Sequence, residues 1–189
     1  MQIWKHFKTI TEHKLMVMAG CFRLGLYRQG LLHDLSKYMP SEFIMGAKYY
    51  QGTQSPNNAE RLDKGYSSAW LHHKGRNRHH YEYWMDYSSR TGKGIIPAKM
   101  PMRYVIEMFI DRVAASKNYN KDKYTDDMPL KYYLGGNPGE YMHEDTRRLL
   151  EGLLKMLAAK GEAYTMRYIR KRLIPQIKVE EHRKNCRKK

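Results

Sequence analysis

The chain has 189 residues, 41% of them apolar, with 35 Lys and Arg against 19 Asp and Glu and a formal net charge of +16. That length suits one domain with enough apolar material for a core, while the absence of any eighteen-residue apolar run excludes a membrane span and two cysteines, Cys21 and Cys186, exclude a disulfide framework. The positive charge favours polyanions or anionic small molecules as partners.

The first fourteen residues, MQIWKHFKTITEHK, mix charge into their apolar positions and lack the apolar region of a signal peptide. A cytoplasmic protein is therefore expected. Residues 3–28 predict one long helix or two, with Ile3, Phe7, Ile10, Met18, Phe22 and Leu26 at three-to-four spacing and Gly20 and Gly25 marking a close contact or a bend. LLHDLSKY, residues 31–38, reads as the start of a second helix after Gly30, and Pro40-Ser41 starts another. Residues 51–65 are polar and predict a loop. The stretch YSSAWLHHKGRNRHHYEYW predicts a helix end, a turn centred on Gly75 and a new helix start. A loop over SSRTGKGIIPAKMP leads into the most apolar helix, 102–117, and then into a polar, irregular stretch through Met142. Leu149, Leu150, Leu153, Leu154 and Leu157 form the stripe of an amphipathic helix ended by Gly161. A last helix over about 162–173 stops before Pro175. Strand alternation is scarce, so the expected fold is all-α, a single-domain helical bundle of six to eight helices over 1–175, followed by a basic tail, 176–189.

The histidines carry the chemical signal. His13 lies in the first helix, His33-Asp34 follows two leucines, and four histidines fall within HHKGRNRHH, residues 72–80. Imidazole is the commonest protein ligand for several divalent metals, and carboxylates add harder oxygen donors. Read as a helix, HDLSK puts Lys37 on the face of His33 and Asp34. The tripeptide is either a metal site with a lysine ready for an anionic substrate oxygen or a helix-start aspartate paired with that lysine. Asp111 sits among apolar residues in YVIEMFIDRVAA, where an unpartnered carboxylate costs several kcal/mol. It needs a cation, either a metal or one of the many arginines. Glu107, one turn back, adds to the repulsion. HHKGRNRHH is either half of a metal centre or a basic turn that binds anions.

Taken in chain order, His13, His33-Asp34, His73, His79-His80 and Asp111 resemble the HD-type metal-dependent phosphohydrolase superfamily, and HDLSK resembles the HD-x-x-K form of its phosphodiesterase branch. More closely, GLLHDLSKYMPSEF, AWLHHKGRNRHHYEYW and EMFIDR resemble a small bacterial and phage family, domain of unknown function 5662, over roughly residues 10–115 and more weakly through HEDTRRLLEGLL. The resemblance implies a helical bundle of HD-domain type holding one or two divalent ions (Mn, Fe, Zn, Mg or Ni). It implies a first metal on His13, His33, Asp34 and Asp111, with Asp34 bridging to a second on His73 and one or both of His79 and His80. The glycine-rich motif that follows the histidine pair in the cyclic-dinucleotide branch is absent, and the doublet His72-His73 leaves that ligand open.

The function expected is hydrolysis of a phosphate ester, of a nucleotide or related metabolite, with Asp34 and Lys37 in the catalytic machinery. Lys37, Arg76 and Arg78, with Lys74, are the candidate phosphate contacts, and Trp70 or Trp84 and the sixteen tyrosines could stack on a base. Two alternatives use the same residues: a di-iron oxygenase on the same fold, since the ligand types are shared, or a basic nucleic-acid-binding protein with a structural metal.

Overall fold

The computed structural model describes residues 1–90, 92 and 94–186. The helical period at the N-terminus becomes α1 (Ile3–Arg23), whose buried stripe is His6, Ile10, His13, Val17 and Cys21. The chosen stripe therefore carries two histidines, while Ile3, Phe7 and Phe22 keep a third or more of their surface in water. Gly20 is a close-contact position, since a Cβ there would sit 2.6 Å from Ile110 Cγ2. A bend at Leu24 and Gly25 separates α1 from the short α2 (Tyr27–Leu32). After a 3₁₀ turn come α3 (Pro40–Lys48), α4 (Pro56–Lys64) and α5 (Ser68–Lys74). A two-stranded antiparallel hairpin follows, β1 (Met85–Tyr87) with β2 (Ile95–Pro97), Met85 opposite Pro97. The remaining helices are α6 (Met102–Asn120), α7 (Met128–Gly136), α8 (Glu144–Tyr168) and α9 (Ile174–Cys186). The all-α expectation holds.

The core forms where α6 lies between α1 and α8. Val17 and Cys21 meet Ile106, Phe109 and Ile110, and Leu150, Leu153, Leu154 and Leu157 close the other side. Each such side chain contributes about 1.5–3 kcal/mol by leaving water. Two elements depart from expectation. The stretch 51–65, expected as a loop, contains α4. Pro56 occupies its first turn, Gly65 closes it at φ 78°, and its buried Glu60 accepts hydrogen bonds from Ser67 Oγ (2.7 Å) and Ser68 Oγ (2.6 Å). Caps and a satisfied carboxylate take the place of an apolar stripe. The stretch expected to be irregular before Met142 contains α7, started at Pro129 and stopped by Asn137 in the left-handed region.

Gly161 (φ 78°, ψ 167°) breaks α8 where expected. The chain does not stop at Pro175, however. A π turn, Ile169–Leu173, precedes α9 and interrupts the regular ladder, so the proline falls in a first turn where its missing N–H removes no established bond. α9 crosses the expected boundary at 175, and Ile177 packs into the core. Residues 187–189 of the expected tail lie outside the described residues.

Candidate metal centre

Four regions bring the donors together: α1 supplies His13, the α2–α3 junction His33 and Asp34, α5 and the turn after it His73, His79 and His80, and α6 Asp111 and Glu107. The junction is not the helix start that the sequence predicts. α2 ends at Leu32, His33 is extended (φ −52°, ψ 126°), and Asp34 is left-handed (φ 53°, ψ 24°). Lys14 holds the bend from α1, its ammonium donating to Leu31 O (2.8 Å) and His33 O (2.7 Å), carbonyls that the end of α2 leaves without helical partners. Aspartate is among the few residues that tolerate this region. The following 3₁₀ turn, Leu35–Tyr38, eclipses positions three apart. Lys37 therefore still meets Asp34, with Nζ 2.5 Å from Oδ2.

Asp34 is the pivot. Its Oδ2 faces His33 Nε2 (3.3 Å) and His13 Nε2 (3.7 Å), and Asp111 Oδ1 closes that side at 2.9 Å from His13 Nε2 and 3.6 Å from His33 Nε2. Its Oδ1 faces His73 Nε2 (3.2 Å) and His79 Nε2 (3.3 Å), and His80 Nε2 lies 2.9 Å from His73 Nε2. Apart from the Lys37 ion pair at Asp34 Oδ2, both oxygens of Asp34 and the Nε2 atoms of His13, His33 and His79 are buried without a partner in hydrogen-bond geometry. Donors gathered this closely but misaligned for hydrogen bonds match the edges of a coordination shell, about 3.0–3.4 Å for ligands near 2.1 Å from an ion. His13, His33, Asp34 and Asp111 form one group that could hold a metal ion, and Asp34, His73, His79 and His80 a second.

Two outer carboxylates set the direction of the imidazoles. Glu107 Oε1 lies 3.0 Å from His33 Nδ1 and 3.2 Å from His79 Nδ1, and Glu42 Oε2 lies 2.8 Å from His73 Nδ1. Burial alone would push both glutamates up. The hydrogen bonds from these histidines outweigh it and hold them below the usual range. An ionised carboxylate only accepts, so Nδ1 carries the proton and Nε2 presents its lone pair inward. Burial would likewise raise Asp34, but His33, Lys37 and His73 hold it well below the carboxylate range. For Asp111, the adjacent His13 and His33 imidazoles overcome the same effect.

The family described as "Family of unknown function (DUF5662)" matches residues 2–156. The chain belongs to this family. Comparison with curated proteins gave no match, and comparison with solved structures gave none. The family match spans every donor around Asp34 and ends before residue 157. Among the described residues, no helix is long and apolar enough to cross a membrane.

Within this family member the open choice at His72-His73 has a geometric answer. His72 directs Nδ1 to Glu42 Oε1 (2.5 Å) and Nε2 to Ser41 Oγ (3.1 Å), away from Asp34. Arg78 donates to Tyr104 Oη (3.4 Å) and lies over the Tyr83 ring, and Arg76 reaches the His72 carbonyl (3.5 Å). The described contacts of both arginines thus run elsewhere than the donor groups. Trp70 packs against His80 (4.7 Å between ring centres) and His73 (5.6 Å), forming a wall of the centre. Trp84 donates to Arg78 O (2.8 Å) and packs on Tyr104.

Glu107, Glu42 and Lys14 were not legible as parts of the site. Glu107 read as a source of repulsion because its histidine partners are remote, His33 by 74 positions. The one available signal was its burial among apolar neighbours, which demands donors as strongly as Asp111 does. Tyr119 senses the centre only through charge. Its phenol pKa is raised by burial, an effect that the charge of Lys37 opposes, and no donor of the centre is among its described contacts.

Proposed function

We propose that this family member is a metal-dependent phosphohydrolase whose centre holds two divalent ions bridged by Asp34. The observation that carries the reading is the division of labour at one carboxylate: each oxygen of Asp34 faces its own group of His and Asp side chains that could hold an ion, and the Nε2 atoms of His13, His33 and His79 in those groups are buried without a hydrogen-bond partner. Support comes also from the likeness of HDLSK and the ordered histidines to the HD-type superfamily, whose members use such sets on phosphate esters. Divalent ions bound here would supply a water of near-neutral pKa and neutralise charge on a phosphoryl oxygen.

The side chains of the protein do the rest. Glu107 and Glu42 keep His33, His79 and His73 in the tautomer that offers Nε2. Lys37 lies between Asp34 and solvent, its side chain 29% exposed. In this position it can receive a phosphate oxygen without serving as a ligand, since a protonated amine has no lone pair to offer. Asp34 and Asp111 raise the Lys37 pKa against the effect of burial, so it remains cationic.

The test is elemental analysis of protein purified without chelator, followed by thermal denaturation with added Mn, Zn, Fe, Mg or Ni and a panel of phosphomonoesters and phosphodiesters. Binding is expected to raise stability by about 2.7 kcal/mol at a hundredfold excess over Kd. Ester hydrolysis that stops on chelation, read as phosphate from monoesters and as alcohol from diesters, supports the reading. Two bound irons, oxygen consumption and no ester hydrolysis would replace it with the oxygenase alternative.

A further inference from the structure

Residues 157–189, beyond the family match, carry eleven Lys and Arg against three Glu, so half of the net +16 lies in the last 33 residues. The fold does not scatter this charge. Met166, Ile169, Leu173, Ile174 and Ile177 turn one side of the α8–π–α9 segment into the core. Arg167, Arg170, Lys171, Arg172 and Lys178 are left exposed. Arg23, at the end of α1, joins Arg167, Arg170 and Lys171 around a crevice of about 520 Å³ floored by Leu24, Ala163 and Met166. Arg23 pairs with Glu162 at 3.2 Å. Arg167, Arg170 and Lys171 have no acidic partner among the described residues. Cations crowded without counter-charges raise the local potential and favour an anion in the crevice.

We infer that this surface binds the phosphodiester backbone of a nucleic acid, independently of the metal centre. Arg167 to Lys178 spans about 16 Å at 1.5 Å per residue, the length of about five steps along one strand. A lipid surface fits poorly. A membrane-lying helix needs a free apolar side, and here Ile169, Leu173, Ile174 and Ile177 are already committed to the core. Backbone phosphate contacts carry no sequence information, so that part of the binding is expected to be shared by oligonucleotides of any sequence.

The test is fluorescence anisotropy of the full chain with labelled single-stranded and duplex oligonucleotides of mixed sequence at rising salt. Arg167→Ala/Arg170→Ala/Lys171→Ala should weaken binding about tenfold or more and reduce the slope of log K against log salt by about 2–3. Lys5→Ala/Lys48→Ala/Lys123→Ala removes the same charge from exposed positions elsewhere and should change the slope by less than about 1. Metal content should be unchanged in both, and the single variant Arg170→Glu provides the same reading should the triple variant lose helicity. Equal losses from the two triple variants would reduce the effect to net charge and overturn the proposal. So would binding to anionic vesicles without binding to oligonucleotides, or no oligonucleotide binding by the parent.

Discussion

The two flanks of Asp34 are built differently. On the Oδ2 side the donors are two imidazoles and a second carboxylate, and His13 and Asp111 stand on α1 and α6, the longest helices packed into the core on that side. On the Oδ1 side three imidazoles come from the end of α5 and the turn that follows, where apolar burial is thin. Hydrogen bonds do the work there. Asn77 Nδ2 donates to Ser36 Oγ (2.8 Å) and His73 O (2.8 Å), and Glu42 holds His73. The difference teaches that a donor on a core helix is placed by packing, whereas a donor on a turn needs its own polar scaffold. It also gives the flanks different chemistry. The Oδ2 flank offers two imidazoles with two carboxylates, and the Oδ1 flank three imidazoles with one.

The largest expected effect abolishes the comparison. Asp34→Asn preserves shape, and asparagine tolerates the left-handed backbone at φ 53°, so the variant tests the charge alone. It should lose metal from both flanks and lower phosphate release by about 10³-fold, the equivalent of several kcal/mol of lost stabilisation. Metal analysis beside a melting curve decides the matter, and an Asp34→Asn protein with full metal content would refute the bridge.

Next come variants that separate the flanks. Asp111→Asn should halve the metal content and spare the Oδ1 side, and His80→Ala should do the reverse. If either variant empties the centre completely, the flanks are one cooperative site. Smaller effects are expected one layer out, where Glu107 and Glu42 provide an internal contrast. Glu107 touches His33 on one flank and His79 on the other, whereas Glu42 touches only His73 among the donors. Glu107→Gln should therefore weaken both sites by about 10–100-fold and Glu42→Gln the Oδ1 site alone, as metal titrations would show.

The same contrast explains what the sequence could and could not reveal. The candidate ligands His13, His33, Asp34, His73, His79, His80 and Asp111 were legible, because a buried carboxylate within YVIEMFIDRVAA and two histidine doublets around a turn are chemically conspicuous, and Gly75 marked the turn itself. The amphipathic stripe of α8 and its break at Gly161 were legible from periodicity. The backbone at His33-Asp34 was not. Leu31 and Leu32 read as helix continuing, and the Lys14 ammonium that stabilises the bend comes from 19 positions away from His33. α4 and α7 carry no apolar stripe that periodicity could reveal; a proline in the first turn, a left-handed residue at the end and a few buried groups define them. The outer carboxylates escaped for the reason Lys14 did. Their partners are assembled only by the tertiary fold.

The smallest expected effect concerns Lys37, which belongs to the Oδ2 flank without being a donor. Two roles are open to an ammonium 2.5 Å from Asp34 Oδ2. As a counter-charge it would only steady the bridging carboxylate, and bound cations would make it redundant. As a phosphate contact it would matter only when substrate is present. Lys37→Ala separates the two, since exposure of the side chain to solvent lets its removal leave the fold intact. The substrate-contact role predicts unchanged metal content and a drop of about tenfold in kcat/KM for anionic substrates, about 1.4 kcal/mol, near the low end for a hydrogen bond to a charged group. Lys37→Arg should recover part of that loss, because the charge is retained while the geometry changes. The counter-charge role predicts the opposite pattern, with metal affinity altered and kcat/KM restored once metal is saturating. A kcat/KM equal to that of the parent at saturating metal would remove Lys37 from substrate binding and leave it a partner of Asp34 alone.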